Sequence, residues 1–199
     1  LLITTRYGYL RVYQNDLLLI TPALDLSQTV CSTNEMGMIG IATDPNFASN
    51  RFIYLYYTYK KYGSCELKSA QSPVNRLSRF VLSDANTVDP VSEVVLLDNI
   101  PSTGGIHNAG DLRFGKDGYL YVSVGDGGCD YILERSGCGK DNQAARDTNI
   151  LLGKILRIAV NPDGSTAIPP SNPFQGADSA RCNLTARTEP GKWCQETYA

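Results

Sequence analysis

The sequence predicts an all-β fold built from blades of a β-propeller, and three observations lead to this prediction. Helical periodicity is nearly absent from the 199 residues. Short runs rich in β-branched and aromatic residues recur along the chain and are separated by Gly, Pro, Asn and Asp, which is typical of strands joined by turns. A weak internal repeat of two hairpins indicates a fold assembled from similar units.

Ten segments have the composition of strands. One of them, Phe52–Tyr59, is continuously apolar and aromatic, so we expect it to be a central strand with protein on both faces. The predicted strands are Leu1–Thr5, Tyr9–Tyr13, Leu17–Ile20, Met38–Thr43, Phe52–Tyr59, Arg76–Leu82, Val94–Leu97, Asp111–Phe114, Tyr119–Val124 and Lys154–Val160.

The internal repeat relates two hairpins, each with an Asp-containing turn between its strands. The first runs from Met38 to Tyr59 and the second from Leu112 to Val124, so that Tyr54 and Tyr121 are 67 positions apart. Compact propeller blades repeat every ~40–45 residues, and the blades here are therefore expected to carry long loops. A two-sheet sandwich is the alternative all-β architecture.

Two segments are predicted to be long surface loops, a kind of segment that often carries function. They are residues 125–149, rich in Gly and Asp, and residues 161–176, rich in Pro. The acidic residues of the first loop offer the oxygen ligands that Ca²⁺ prefers, although their order does not match an EF-hand; a solvated loop is the other interpretation. These residues are Asp126, Asp130, Asp141 and Asp147.

Charge and hydropathy exclude several classes of partner. The 18 Lys and Arg residues and 20 Asp and Glu residues are interspersed, and the net charge is −2. Without a basic patch, the main electrostatic reason to propose nucleic acid or an anionic membrane is missing. No apolar stretch approaches the roughly 18 residues of a membrane span, and no phosphate-binding glycine motif of the P-loop or GxGxxG type is present.

The cysteines indicate an oxidising compartment. The chain has six of them, none in a CxxC pair, and a single His, which makes structural zinc a poor interpretation. Three disulfides in a secreted protein are preferred over buried thiols. Six cysteines permit 15 pairings, of which the favoured ones are Cys31–Cys65, Cys129–Cys138 and Cys182–Cys194. Asn183-Leu184-Thr185 is also a glycosylation sequon.

Neither end of the sequence has the character of a natural terminus. The chain opens inside an apolar run, Leu1–Thr5, and stops at Ala199 without a closing segment. Residues 1–199 are therefore expected to form part of one domain in a longer polypeptide.

Hairpin geometry brings three polar side chains to one rim. The residue before the first strand of an antiparallel hairpin and the residue after the second lie at the same end. His107 precedes one hairpin and Asp126 follows it, while Glu35 precedes the earlier, equivalent hairpin. All three are therefore expected at one end of the blades, where the central channel of a propeller opens.

A His beside a carboxylate is a suitable general base, because the carboxylate orients the ring and fixes its tautomer. A hydrogen-bonded structural role is the alternative for a lone His. No GxSxG motif is present, and any Ser or Cys triad would have to use His107, since the chain has no other histidine.

Three sequence motifs resemble, in the right order, those of the glucose/sorbosone dehydrogenases, which are soluble quinoproteins. The first comprises Glu35–Phe47 followed by Phe52–Thr58, the second His107–Asp126, and the third Leu152–Ile158 followed by Asn172–Phe174. The resemblance spans most of the chain. It implies a six-bladed β-propeller, of which these residues supply roughly the first two to three blades.

The resemblance also implies a chemistry. His107 matches the family's catalytic base and Asp126 the carboxylate beside it. The base takes the proton from the anomeric hydroxyl of an aldose sugar while hydride passes to pyrroloquinoline quinone, which gives the lactone. Glu35 falls where some relatives have a Gln that contacts the active site, and is a candidate cofactor ligand.

Other parts of the family site are absent from this sequence. The family's Gly-x-Arg-Asn-Pro motif, its Ca²⁺ site and the cations that hold the quinone are expected beyond Ala199. The exposed edges of an incomplete propeller are then expected to be covered by its remaining blades or by a neighbouring chain. The alternative function is a non-catalytic extracellular binding or structural module, as in the hedgehog-interacting proteins, since fold alone does not fix function.

Overall fold

A computed structural model describes residues 1–128 and 143–199, and the regular secondary structure of this part of the chain is almost entirely β-strand. The strands are β1 (Leu2–Thr4), β2 (Tyr9–Gln14), β3 (Leu17–Leu18), β4 (Leu24–Asp25), β5 (Met38–Thr43), β6 (Phe52–Tyr59), β7 (Val74–Val81), β8 (Val94–Pro101), β9 (Ala109–Phe114), β10 (Leu120–Val124), β11 (Lys154–Val160), β12 (Thr166–Ala167), β13 (Ser179–Ala180) and β14 (Trp193–Cys194).

Helical segments in the described residues are short. They are α1 (Phe47–Asn50), α2 (Gln143–Arg146) and one 3-10 turn, Pro90–Ser92. No helix in residues 1–128 or 143–199 is long and apolar enough to cross a membrane.

The sheets have the topology of propeller blades. Two complete four-stranded antiparallel sheets follow chain order, β5-β6-β7-β8 and β9-β10-β11-β12, and a smaller sheet is formed by β1, β2, β3 and β4. Each sheet is built from consecutive strands, and the sheets follow one another along the chain. A sandwich would instead require the chain to pass back and forth between two sheets. The all-β propeller fold is confirmed, with two complete blades and one partial blade in residues 1–128 and 143–199.

Most strand positions agree with the prediction, and the differences have a common cause. Strands β5, β6 and β11 have the predicted bounds, whereas β7 begins at Val74, β8 continues to Pro101 and β9 begins at Ala109. The added residues include polar and proline positions that hydropathy does not mark as strand. Strand β3 ends at Leu18, and the two-residue strands β4, β12, β13 and β14 were not predicted because such short pairings leave no periodicity.

Strand β6 lies between two hydrophobic clusters, as its composition predicts. Tyr54 and Tyr56 pack toward β9, β10 and β11, whereas Ile53, Leu55 and Tyr57 pack against the sheet of β1 and β2. All five residues are at most 2% exposed. This alternation places β6 between the two clusters, so that one strand packs against both neighbouring blades.

The internal repeat extends to individual hydrogen bonds. The Tyr54 hydroxyl donates to Asp44 Oδ2 at 2.7 Å, and the Tyr121 hydroxyl donates to Asp117 Oδ2 at 2.8 Å. On the third strand of each blade, an arginine is paired in register with the tyrosine: Arg79 with Tyr54 and Arg157 with Tyr121. Burial, and then the bond to Asp44, raises the pKa of Tyr54, so this phenol remains a donor.

Two disulfides of the predicted set are present. Cys31–Cys65 joins the segment before β5 to the segment after β6, and Cys182–Cys194 closes a loop near the end of the chain. The predicted Cys129–Cys138 pair lies outside the described residues. Of the two predicted long loops, residues 161–176 contain β12 and the last part of residues 125–149 contains α2, while residues 129–142 of that first loop lie outside the described residues.

The inner strands of the two complete blades touch through their backbones. A Cβ added at Gly40 in β5 would lie 1.9 Å from the carbonyl oxygen of Gly110 in β9, and one at Gly110 would lie 2.5 Å from the Tyr56 ring. Only glycine at these positions permits the two sheets to approach this closely.

We expect Gly40→Ala to lower the free energy of unfolding of the full-length protein by about 3 kcal/mol, because the new methyl group meets backbone and forces the blades apart. Urea unfolding measures the change. Gly63→Ala is the matched control, since nothing lies within 4 Å of a Cβ there and only its positive φ adds a cost of about 1 kcal/mol. Equal losses in the two variants would contradict the packing argument.

Candidate active site

One rim of the blades gathers the polar residues that the hairpin argument singles out. Strands β5 and β9 both begin at this rim, and Val124 at the end of β10 is paired with Ala109 at the start of β9. His107 therefore stands just before β9 and Asp126 just after β10. Their side chains meet, with His107 Nδ1 2.9 Å from Asp126 Oδ1.

The pairing leaves one imidazole nitrogen open. An ionised carboxylate can only accept hydrogen bonds, so Nδ1 carries the proton and Nε2 has the lone pair. Asp126 Oδ1 also accepts the N–H of Gly128 at 3.0 Å, which fixes the carboxylate. The His107 side chain is 40% exposed and that of Asp126 18% exposed. The rim thus presents a solvent-accessible proton acceptor backed by a carboxylate.

The backbone of His107 is held in an uncommon conformation. Its φ is 53°, in the left-handed region that side-chain-bearing residues seldom occupy. The carbonyl oxygen of His107 accepts the N–H of Gly127 at 3.2 Å. A Cβ at Gly125, the residue after β10, would lie 1.8 Å from this same oxygen. Only glycine therefore fits at this position.

Glu35 lies at the same rim and contacts the His107 backbone. Its Oε2 accepts the His107 N–H at 2.6 Å. Its own N–H donates to the carbonyl oxygen of Gly105 at 3.1 Å. Two hydrogen bonds thus join the segment before β5 to the segment before β9, across the gap between neighbouring blades.

A buried polar network lies beneath this rim and was not predicted from the sequence. Asn108 is 2% exposed, and its Oδ1 accepts from Ser102 Oγ at 2.7 Å and from Asn75 Nδ2 at 2.9 Å. Asn75 Oδ1 in turn accepts from Thr58 Oγ1 at 2.8 Å. Burial raises the pKa of Tyr56, whose hydroxyl points to the Asn108 carbonyl oxygen at 3.5 Å.

The available sequence signal for this network was polarity at buried positions. Thr58 and Asn75 interrupt otherwise apolar strands, and Asn108 directly follows His107. A polar residue in a strand core needs a partner, but the sequence does not say which one, because the partners come from three different segments.

A metal site among the acidic residues finds no support in the described part of the chain. Within residues 1–128 and 143–199, no three His, Cys, Asp or Glu residues are grouped closely enough to hold a metal ion. Of the four acidic loop residues considered as Ca²⁺ ligands, Asp130 and Asp141 lie outside the described residues.

Comparison with known proteins gives a consistent family relationship. The family model for glucose/sorbosone dehydrogenase matches residues 1–185. Quinoprotein glucose dehydrogenase B of Acinetobacter calcoaceticus is 30% identical over 163 residues, which cover 78% of this chain and 32% of that protein. The hedgehog-interacting protein of Mus musculus is 28% identical over 188 residues, covering 87% of this chain and 25% of that protein.

Solved structures agree in fold. The PQQ-bound aldose sugar dehydrogenase from Streptomyces coelicolor superposes with a TM-score of 0.64 and 27% identity, over 89% of this chain and 46% of that one. The chain spans 30% and 42% of the length of two of its curated relatives, HIPL2 protein of Arabidopsis thaliana and protein slr1608 of Synechocystis. It therefore corresponds to less than half of these proteins.

We expect the neutral imidazole of His107 to carry its proton on Nδ1, because Asp126 accepts a hydrogen bond there. ¹⁵N NMR of the ring nitrogens in the cofactor-free protein measures the tautomer. In Asp126→Ala the Nδ1 preference should be lost, whereas Asp111→Ala, which removes an exposed carboxylate from β9, should leave it unchanged. A dominant Nε2–H form in the unsubstituted protein would contradict the geometry.

Proposed function

The chain belongs to the glucose/sorbosone dehydrogenase family, and from this premise we propose that its full-length protein oxidises aldose sugars to lactones with pyrroloquinoline quinone as cofactor. The single observation that supports this most strongly is the pairing of His107 with Asp126, in which Nδ1 is bonded to the carboxylate while the His107 side chain stays 40% exposed. Among the described residues, the other ring nitrogen, Nε2, has no hydrogen-bond partner, as a proton acceptor for a substrate requires.

The proposed roles follow from the atoms involved. His107 Nε2 accepts the proton of the sugar's anomeric hydroxyl, and Asp126 stabilises the imidazolium that forms. Because Nδ1–H remains bonded to the carboxylate throughout, the ring needs no rotation when it gains charge. The hydroxyl oxygen loses this proton and the anomeric carbon loses a hydride. Together these two losses convert the C–OH group into the lactone carbonyl.

The quinone, when bound, supplies the acceptor for the hydride and its electron pair. His107 and Asp126 on this rim suit the proton-transfer half of the reaction. The described residues contain no cluster of metal-binding side chains, and we therefore assign no Ca²⁺ ligand to them. Ca²⁺ and the cations that pair with the quinone's carboxylates are proposed to be bound by the rest of the full-length polypeptide.

A secreted or periplasmic location fits the two disulfides in the described residues, since disulfides persist in oxidising compartments. The proposed small-molecule partner is the sugar.

The partial blade, formed by β1, β2, β3 and β4, indicates a further partner, which is a segment that would complete this blade. Strand β1 ends beside the start of β5, where the Met38 N–H donates to the Arg6 carbonyl oxygen at 3.3 Å. It therefore runs toward the rim, whereas β5 and β9 start at the rim and run away from it. By direction, β1 corresponds to the second strand of a blade, so the partial blade has no innermost strand among the described residues.

The side chains around the partial blade agree with this assignment. Arg11 is paired with Ile3 in register, as Arg79 is with Tyr54 and Arg157 with Tyr121. Arg157 has an acidic partner in the first turn of its blade, Asp117, at 3.5 Å. Arg11 Nη2 donates to the Leu19 carbonyl oxygen at 2.8 Å, but in the part of the chain that the structure describes its buried Nε has no acceptor.

A groove of about 870 Å³ lies at the start of β1, and its lining includes Leu1, Leu2, Ile41, Leu112 and Phe114. We propose that a strand from the rest of the propeller lies in this groove and ends in an acidic turn that reaches Arg11.

The alternative function is a non-catalytic extracellular binding module. The likeness to the hedgehog-interacting protein supports it, because that protein is named for an interaction and not for a reaction. The exposure of His107 beside Asp126 favours the enzyme instead, since a purely structural module has no need of an accessible base at the rim.

We expect His107→Ala to lower kcat for dye-linked sugar oxidation between about a hundredfold and ten-thousandfold, which is the usual contribution of a general base. The assay uses the full-length protein loaded with quinone and Ca²⁺, with a soluble redox dye as acceptor and a panel of aldoses. Lys116→Ala, in an exposed turn at the opposite end of the hairpin, should retain full activity. If the unsubstituted protein neither binds the quinone nor reduces the dye, the binding-module alternative replaces the enzyme.

We expect the backbone amides of Leu2 and Thr4 to be strongly protected from hydrogen exchange in the full-length protein. Leu1 and Tyr13 exchange hydrogen bonds, so by alternation the N–H groups of Leu2 and Thr4 point away from β2. Amide exchange by NMR or mass spectrometry measures this, and Ile3, whose N–H faces β2, is the control. Fast exchange at Leu2 and Thr4 beside slow exchange at Ile3 would show that no strand covers this edge.

A further inference from the structure

Glu35 has a contact that differs from the one its sequence position suggests. A residue that binds a cofactor directs its side chain into the site. The Glu35 carboxylate instead accepts the backbone N–H of His107 at 2.6 Å, a charge-assisted bond of the strong type. The Glu35 side chain is therefore engaged with the backbone of the candidate base.

The contact acts on a residue whose backbone needs support. His107 has a φ of 53°, and such a conformation persists only where surrounding groups enforce it. The His107 carbonyl oxygen is fixed by the Gly127 N–H at 3.2 Å and by the lack of space at Gly125. The N–H on the other side is fixed by Glu35 alone among the described residues.

Glu35 is itself anchored independently of His107. Its N–H donates to the Gly105 carbonyl oxygen, and the next residue, Met36, is fully buried. Earlier in the same segment, Cys31 is tied by its disulfide to Cys65. A carboxylate on such a fixed segment can impose a position on the neighbouring blade.

From these contacts we infer that Glu35 is a positioning residue, which sets the direction of the His107 imidazole by holding its backbone N–H across the blade interface. This inference rests on the proposed role of His107 as the base. A general base has to lie within hydrogen-bond reach of the proton that it removes, and small displacements of a reacting group lower the rate of the chemical step more than they weaken binding.

The test compares three substitutions at one position in the full-length protein. Glu35→Gln keeps an acceptor oxygen at the same distance, Glu35→Asp keeps the charge but shortens the reach by one methylene, and Glu35→Ala removes the acceptor. Glu66→Ala, an exposed carboxylate next to Cys65, is the control. Circular dichroism and thermal unfolding establish that each variant folds.

The first measurement needs no cofactor and no activity. In the amide NMR spectrum of the cofactor-free protein, the His107 N–H should shift upfield most in Glu35→Ala and Glu35→Asp, shift upfield by less in Glu35→Gln because a neutral oxygen accepts a weaker bond, and be unchanged in Glu66→Ala. An unchanged His107 amide in a folded Glu35→Asp or Glu35→Ala variant would overturn the inference, whatever the activity of the protein.

The second measurement separates positioning from ligand contact. With quinone, Ca²⁺ and glucose, Glu35→Ala and Glu35→Asp should lower kcat about tenfold with little change in KM, while Glu35→Gln should stay within about threefold of the unsubstituted protein. Titration with pyrroloquinoline quinone should give the same affinity for all variants. Weaker quinone binding with an unmoved His107 amide would make Glu35 a cofactor ligand and refute the positioning role.

The two proposals fail in different ways. If the unsubstituted protein oxidises no aldose, the proposed function is lost, but the amide shifts still decide whether Glu35 holds the His107 backbone. If the protein is active and the amide does not respond to Glu35, the enzyme proposal stands and the positioning role does not.

Discussion

The close approach of two inner strands governs the rest of this structure. At Gly40 and Gly110 the backbones of β5 and β9 are in contact without side chains between them. This brings the segment before β5 against the segment before β9, so that Glu35 reaches the His107 N–H. A Cβ at either glycine would meet the neighbouring backbone or ring, so we expect a larger residue there to push the two blades apart and to weaken the bond between Glu35 and His107.

The two ends of each hairpin differ in the residues that they carry, since one end repeats from blade to blade and the other does not. At the end away from the rim, both blades repeat one arrangement, in which a tyrosine donates to the aspartate of the preceding turn. That repetition marks it as part of how a blade is built. At the rim the blades differ, since one contributes Glu35 and the other His107 and Asp126. The candidate chemistry thus lies where the repeat is broken, on strands that the repeat holds rigid.

The candidate base is fixed through its main chain as well as its ring. Three contacts hold His107, through its N–H, its carbonyl oxygen and Nδ1, and leave Nε2 toward solvent. Beneath it, Asn108 is bonded to side chains from two other segments. Such preorganisation limits the motion of a proton acceptor and suits a site completed by a bound ligand. In the function that we propose, the remaining blades of the full-length protein supply the cofactor-binding part of the site.

The sequence by itself determined the strands long enough to show a pattern, the division into blades, and the meeting of His107 with Asp126, because side-chain alternation and hairpin reversal are local rules. It did not determine that the Glu35 carboxylate turns to a backbone N–H, or that Thr58, Asn75 and Asn108 form one buried network. Those contacts join segments from neighbouring blades and far-apart strands, and they depend on how closely the sheets pack. Only the tertiary structure decides that distance, since it results from the fit of whole sheets around Gly40 and Gly110, which no local pattern of residues encodes.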